Sequence, residues 1–137
     1  MSVLVRRVLA VLAGAVVAVA VVSLCDFVAG RMWSPPPGTD LSTPAGLRAA
    51  MASIPTGTLM VFVLGWVAAA AAGAFVATRL SPDRGQVPGL IVTALLWVAT
   101  IMNLLSIPHP VWVWGALVLI PAAGWLAARA AATRSAG

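Results

Sequence analysis

The only histidine of this chain, His109, is held between two prolines in "NLLSIPHPVWVWG", residues 103–115, with Asn103 and Ser106 just before it and Trp112 and Trp114 just after. The remaining side chains that do acid–base, nucleophilic or metal chemistry are few, and several fall at a similar depth: Cys25, Asp26, Arg31, Met32 and Arg48. A metal site needs three or four ligands. His109, Asp26, Cys25 and Met32 supply suitable atoms, yet no pair of them has a recognisable ligand spacing. Hydrolysis needs a nucleophile oriented by a base, and Ser106, only three residues from His109 in a turn, is poorly placed for that. Proton-coupled transport calls for a carboxylate deep in a membrane span, whereas Asp26 stands near the end of its apolar run. No glycine-rich phosphate loop, HExxH or Cys-x-x-Cys motif occurs. The sequence therefore nominates no catalytic residue, metal or cofactor. It nominates a candidate polar cluster of Asp26, Asn103, His109, Arg31 and Arg48.

The elements that must position this cluster are membrane spans. Of the 137 residues 62% are hydrophobic and only 8% charged, with a mean hydropathy of +1.07. A soluble domain carries about a quarter charged residues, so the bilayer is the natural solvent. The net charge of +5 comes from arginines scattered at the ends of apolar runs, without the basic, aromatic-interleaved face that nucleic acid requires. Crossing a hydrocarbon core takes about 20 apolar residues, and four segments meet or approach that: residues 8–28, 55–80, 88–105 and 110–128. Pro55, Pro88 and Pro110 mark three helix starts, where a missing N–H costs nothing. The expected fold is all-α, a four-helix up-down bundle forming one integral membrane domain. The first apolar run exceeds a cleavable signal core of about 7–15 residues. "VVSLC" resembles a lipoprotein box ending at Cys25, but Leu24 is larger than the residue such boxes hold there, so an uncleaved helix is expected. The single cysteine excludes an internal disulfide and a cysteine-based zinc site.

Arg6, Arg7, Arg79, Arg84, Arg129 and Arg134 fall on one side of these spans and only Arg31 and Arg48 on the other, which puts both termini in the cytoplasm. Arginine without lysine and aspartate without glutamate match a GC-rich, bacterial usage, hence a bacterial inner membrane. Trp33, Trp112 and Trp114 form an outer interfacial belt. In the outer loop, residues 31–54, "WSPPPGTD" is stiff, and Thr43 with Pro44 opens a short helix. Its Leu47, Ala50, Met51 and Ile54 share one face, so it lies on the membrane surface or caps the bundle.

Small residues recur every four positions, at Ala10, Gly14 and Ala18 and again at Gly65, Ala69, Gly73 and Ala77, spacing that lets helices approach closely in lipid. They serve packing within one bundle or, alternatively, a homo-oligomer or a membrane protein partner. "GWVAA" at 65–69 and "GWLAA" at 124–128 form a faint internal echo. Pro121 should free the carbonyl of Leu117 and kink the last span, and Trp66 and Trp97 are expected to fill the bundle. Asp26, near the negative end of its helix, should seek a cation or donor, with Arg48 or His109 as partner and Asn103 as bridge. His109 is expected at the N-cap of the last span, as a neutral imidazole accepting backbone hydrogen bonds. Asp83, between two arginines, reads as a plain solvated turn.

The turn N-x4-P-H-P-x-W, here Asn103, Pro108, His109, Pro110 and Trp112, resembles small bacterial integral membrane proteins of four spans, as does the small-residue span ending Ala77 to Arg79. The resemblance implies the architecture and no activity. Three functions stay open: a non-enzymatic protein acting by helix packing or a partner, a subunit of a small-solute transporter or channel with the polar cluster as vestibule, or a membrane-embedded enzyme or metal-binding protein using that cluster.

Overall fold

A computed structural model describes residues 1–133, which places Arg134 outside the described residues. The chain runs through α1 (Val3–Met32), α2 (Pro44–Ser53), α3 (Thr56–Leu80), α4 (Val87–Ser106), a 3-10 turn (Val111–Gly115) and α5 (Ala116–Thr133). Four helical stretches are long and apolar enough to cross a membrane, Val3–Met32, Thr56–Leu80, Val87–Ser106 and Val111–Thr133. They alternate in direction as an all-helical up-down bundle. One end carries the start of α1, the end of α5 and the α3–α4 turn; the other carries α2 and the turn around His109.

The helices overrun the apolar runs because hydropathy measures lipid contact, whereas a helix continues until a cap stops it. Ser2 caps α1, its side chain accepting from the Val5 N–H at 3.2 Å. The helix therefore starts before Arg6 and Arg7, which extend its first turns beyond the apolar stretch. Thr43 caps α2 as expected, its hydroxyl accepting from Gly46 N–H at 3.0 Å, with Pro44 first in the helix. Pro55 is itself the cap of α3, and Pro88 lies in the first turn of α4 after Val87. The last span does not begin as an α-helix: Pro110 caps the 3-10 turn, which passes into α5 at Ala116.

α3 is the central helix, packed against α1, α4 and α5, with α1 as its most extensive neighbour. All seven small residues of the two stripes, Ala10, Gly14, Ala18, Gly65, Ala69, Gly73 and Ala77, are buried inside the single chain. The contact is backbone to backbone. A methyl added at Gly14 would stand 2.5 Å from the Gly73 carbonyl oxygen and 2.7 Å from Ala77 Cβ. Gly89 likewise admits α3 at Ala74 and Thr78, and Gly124 admits Thr93 of α4. The termini half of the bundle is thus closed by glycine and alanine. Toward the α2 end larger side chains take over, where Val63, Leu104, Val113 and Ile120 form the core with Trp66, Leu96 and Leu117 against it. Leucines and valines such as Leu12, Val16, Leu95 and Val118 point outward, the faces a bilayer would cover.

Two long-range bonds tie the spans. The Trp97 indole N–H donates to the Leu117 carbonyl at 2.9 Å, which is the carbonyl that Pro121, four residues on, cannot serve. Trp97 therefore does not fill the bundle; it is more than a third exposed and bridges α4 to α5. At the termini end, Arg7 pairs with Asp83 at 2.6 Å. The Asp83 carboxylate also accepts from Ser81 Oγ at 2.8 Å and from Gly85 N–H at 3.3 Å. Asp83 is solvent-exposed, as expected of a solvated turn, and in addition it ties the start of α1 to the α3–α4 turn. The Ser81 hydroxyl first, and Arg7 next, hold its carboxyl well below the usual carboxylate range. A lowered native value stabilises the fold above the ordinary carboxylate range and loses that contribution as pH falls through it. Asp83→Asn is accordingly expected to shrink the fall in melting temperature between neutral pH and about pH 3, measured on the purified protein in detergent.

Candidate functional site

The nominated cluster divides on folding. Asp26 from α1, Asn103 from the last turn of α4 and His109 from the following turn all line one pocket of about 430 Å³ at the α2 end. Arg31 and Arg48 do not line it. Arg31 instead lies over the Phe27 ring, 5.0 Å from its centroid, a cation–aromatic contact one helical turn away. Neither arginine pairs with Asp26, so the cation expected for that carboxylate is not found among the described residues.

The pocket exists because residue size changes along the bundle. α1 and α3 touch at Gly14 and Gly73 and again at Cys25 and Gly65; beside that second contact Val22, Phe62 and Trp66 line a space that Leu96, Thr100 and Asn103 of α4 also line. Sequence reasoning identified Asp26, Asn103 and His109 but neither the polar Ser23 and Thr100 nor these walls. The signal was present in the switch from Ala and Gly to Phe and Trp along α3. α2 roofs the space with Met51 and Ile54. Its expected stripe is half-buried or buried, with Ala50 fully so, and the helix caps the bundle.

His109 is not the cap of the last span. Its Nδ1 lies 2.7 Å from the Ile107 carbonyl oxygen, and a carbonyl only accepts, so Nδ1 carries a proton and donates it there. The imidazole donates to the backbone where the sequence suggested it would accept. The prolines on both sides fix this extended turn, and the ring meets Trp66 edge to face, centroids 6.1 Å apart at 71°. Asn103 is held by α4, and its Oδ1 is buried without a hydrogen-bond partner. The Thr100 hydroxyl donates to Leu96 O at 2.8 Å, which commits its proton and keeps its oxygen as an acceptor.

The catalytic alternatives gain no geometry here. The Ser106 hydroxyl donates to Met102 O at 2.7 Å, and is thus engaged by its own helix. Cys25 lies against Gly65, whose added Cβ would stand 2.6 Å from Cys25 Cβ. Among the described residues no three of the His, Cys, Asp and Glu side chains gather to hold a metal ion. What the arrangement can do chemically is bind: apolar walls with one carboxylate and one buried, unpaired acceptor, Asn103 Oδ1, in a volume within the roughly 300–1,000 Å³ of small-molecule pockets. No family model matches this chain, and neither a curated protein nor a solved structure is significantly similar to it.

Proposed function

We propose that this is a bacterial inner-membrane protein without catalytic machinery that receives a small molecule in the pocket between α1, α3 and α4. The observation that carries the reading is the convergence of Asp26 with Asn103 and His109, from two distant parts of the chain, on one partly enclosed space, with Asn103 Oδ1 buried and unpaired. A buried acceptor without a partner costs about 1–3 kcal/mol, a cost a bound donor would relieve. The reading of a protein that acts by helix packing or through a partner draws less support, because both small-residue stripes are used within one chain. A second copy or another membrane protein would have to dock on the lipid-facing leucines and valines. A solute path through one chain would have to part the Gly14–Gly73 contact, so the pocket suits a receiving site or vestibule better than a channel.

The arginine distribution supports the orientation. Arg6, Arg7, Arg79, Arg84 and Arg129 belong to the termini end, Arg31 and Arg48 to the α2 end, and positive residues stay in the cytoplasm. The pocket then faces outward beneath α2. Both expectations are read in one experiment. In a Cys25→Ala background, Thr100→Cys should react with a membrane-impermeant thiol reagent added outside intact spheroplasts, while a cysteine placed at Thr133 should react only after the cells are opened. Protection of Thr100→Cys under both conditions would overturn the pocket reading; labelling of it only in opened cells would overturn the orientation.

A further inference from the structure

The polar groups of the pocket are unequal in a way that selects a ligand. Asp26 is the one carboxyl side chain that lines it, and neither arginine of that end does. Asn103 adds a buried, unpaired carbonyl oxygen. His109 has spent its Nδ1 proton on Ile107, and Thr100 has spent its hydroxyl proton on Leu96, which leaves the Thr100 oxygen as an acceptor. The donors on lining residues are the Asn103 amide N–H, the Ser23 hydroxyl and the Trp66 indole N–H, and none of them belongs to an arginine. The rest of the lining is hydrocarbon and aromatic, with Phe62 and Trp66 as the rings.

From this imbalance we infer that the pocket binds a primary or secondary organic ammonium carrying an apolar or aromatic body, the ammonium N–H groups donating to Asp26 and Asn103 and the body lying against Phe62 and Trp66. A charge-assisted hydrogen bond to a carboxylate is about twice as strong as a neutral one, and an aromatic face adds attraction for the cation. An anion is disfavoured: it would place like charge beside Asp26 without any arginine to compensate. A neutral alcohol would satisfy Asn103 but leave the carboxylate unpaired. The inference rests on the pocket being a binding site, and goes further by fixing the sign of its ligand.

The test uses three probes of similar shape, phenethylammonium, 3-phenyl-1-propanol and 3-phenylpropionate, with the purified full chain in a neutral detergent and calorimetric or Trp-fluorescence readout. Phenethylammonium should bind about tenfold or more tightly than the alcohol, and the carboxylate weakest. Asp26→Asn should remove that preference, and Asn103→Asp, which adds a second carboxylate at nearly constant volume, should increase it. The Asn103→Asp arm also serves if Asp26→Asn fails to fold. Equal affinity for cation and alcohol in the wild type, or tighter binding of the anion, would overturn the inference. Because Thr100→Cys labelling is independent of ligand charge, an accessible pocket without cation preference would sink this inference alone.

Discussion

Gly14→Val is expected to cost the fold about 3 kcal/mol or to prevent its recovery from membranes. Lipid supplies no hydrophobic drive between helices, so α1 and α3 are held by close approach. That approach is closest at Gly14. Any Cβ there meets the Gly73 carbonyl oxygen and Ala77 Cβ within 2.7 Å, and Val92 Cγ2 at 3.1 Å. A flexible side chain can swing away from such a contact; a backbone carbonyl in the middle of α3 cannot. Gly73→Val meets the reciprocal obstacle, with Gly14 O at 2.8 Å and Ala18 Cβ at 3.0 Å. The two substitutions remove the same contact, so the double variant should cost less than the sum of the singles. Gly30, Gly57 and Gly115 provide the controls, since nothing stands within 4 Å of an added Cβ at any of them. Alanine at those three positions should change stability by less than about 1 kcal/mol. Unfolding in mixed micelles by graded SDS, followed by helical circular dichroism, reads both sets. If Gly14→Val were as mild as Gly57→Ala, the α1–α3 crossing described here would be wrong.

Trp97→Phe is the second large effect, and it is conditional on Pro121. Pro121 removes the N–H that would serve the Leu117 carbonyl, and inside a bilayer an unserved carbonyl finds no water. The Trp97 indole supplies the missing donor from the neighbouring helix. Removing it, while keeping an aromatic ring in place, should cost about 0.6–1.7 kcal/mol, the range of interhelical hydrogen bonds in membrane proteins. In a Pro121→Ala background the backbone N–H of residue 121 can bond Leu117 itself, and the same Trp97→Phe change should cost close to nothing. The cycle isolates the pair because the second background replaces the donor instead of deleting the acceptor. An equal cost of Trp97→Phe with and without Pro121 would show that the tryptophan acts by packing alone.

These two cases also mark how far the sequence could be read. Hydropathy located four spans because crossing a bilayer demands a long apolar run in one continuous piece of chain, and the arginines divided the ends. Thr43 and Pro44 located α2 because capping is a local contact of three or four residues. The small-residue stripes were legible as packing faces, and the structure uses all seven positions within one chain. The freed Leu117 carbonyl was legible too, since Pro121 acts on its own helix. Its donor was not, because Trp97 belongs to another helix and nothing in its neighbours along the chain points to Leu117. The same limit hid the Arg7–Asp83 pair, whose partners are 76 residues apart, and made Asp83 look like an ordinary turn. His109 was placed at the right end but given the wrong bond. Pro110 shifted the helix start past it, so the ring reached back to Ile107 instead of forward. Asp26, Asn103 and His109 were grouped by depth alone, and depth gives no azimuth around a bundle. It was enough to bring those three to one pocket and too little to exclude Arg31 and Arg48 from it.

The central claim is that Asp26 and His109, 83 residues apart in the chain, face each other across one space beneath α2. Asp26→Cys and His109→Cys can be combined in a Cys25→Ala background, with a protease site inserted in the loop between α1 and α2 so that α1 is released from the rest after cutting. A short bifunctional thiosulfonate should hold the two fragments together on a non-reducing gel, and thiol should release them. The control pairs Asp26→Cys with a cysteine at Ala130, at the opposite end, and should give separate fragments. Fragments that separate for the 26–109 pair as freely as for the 26–130 pair would contradict the pocket and the binding function drawn from it.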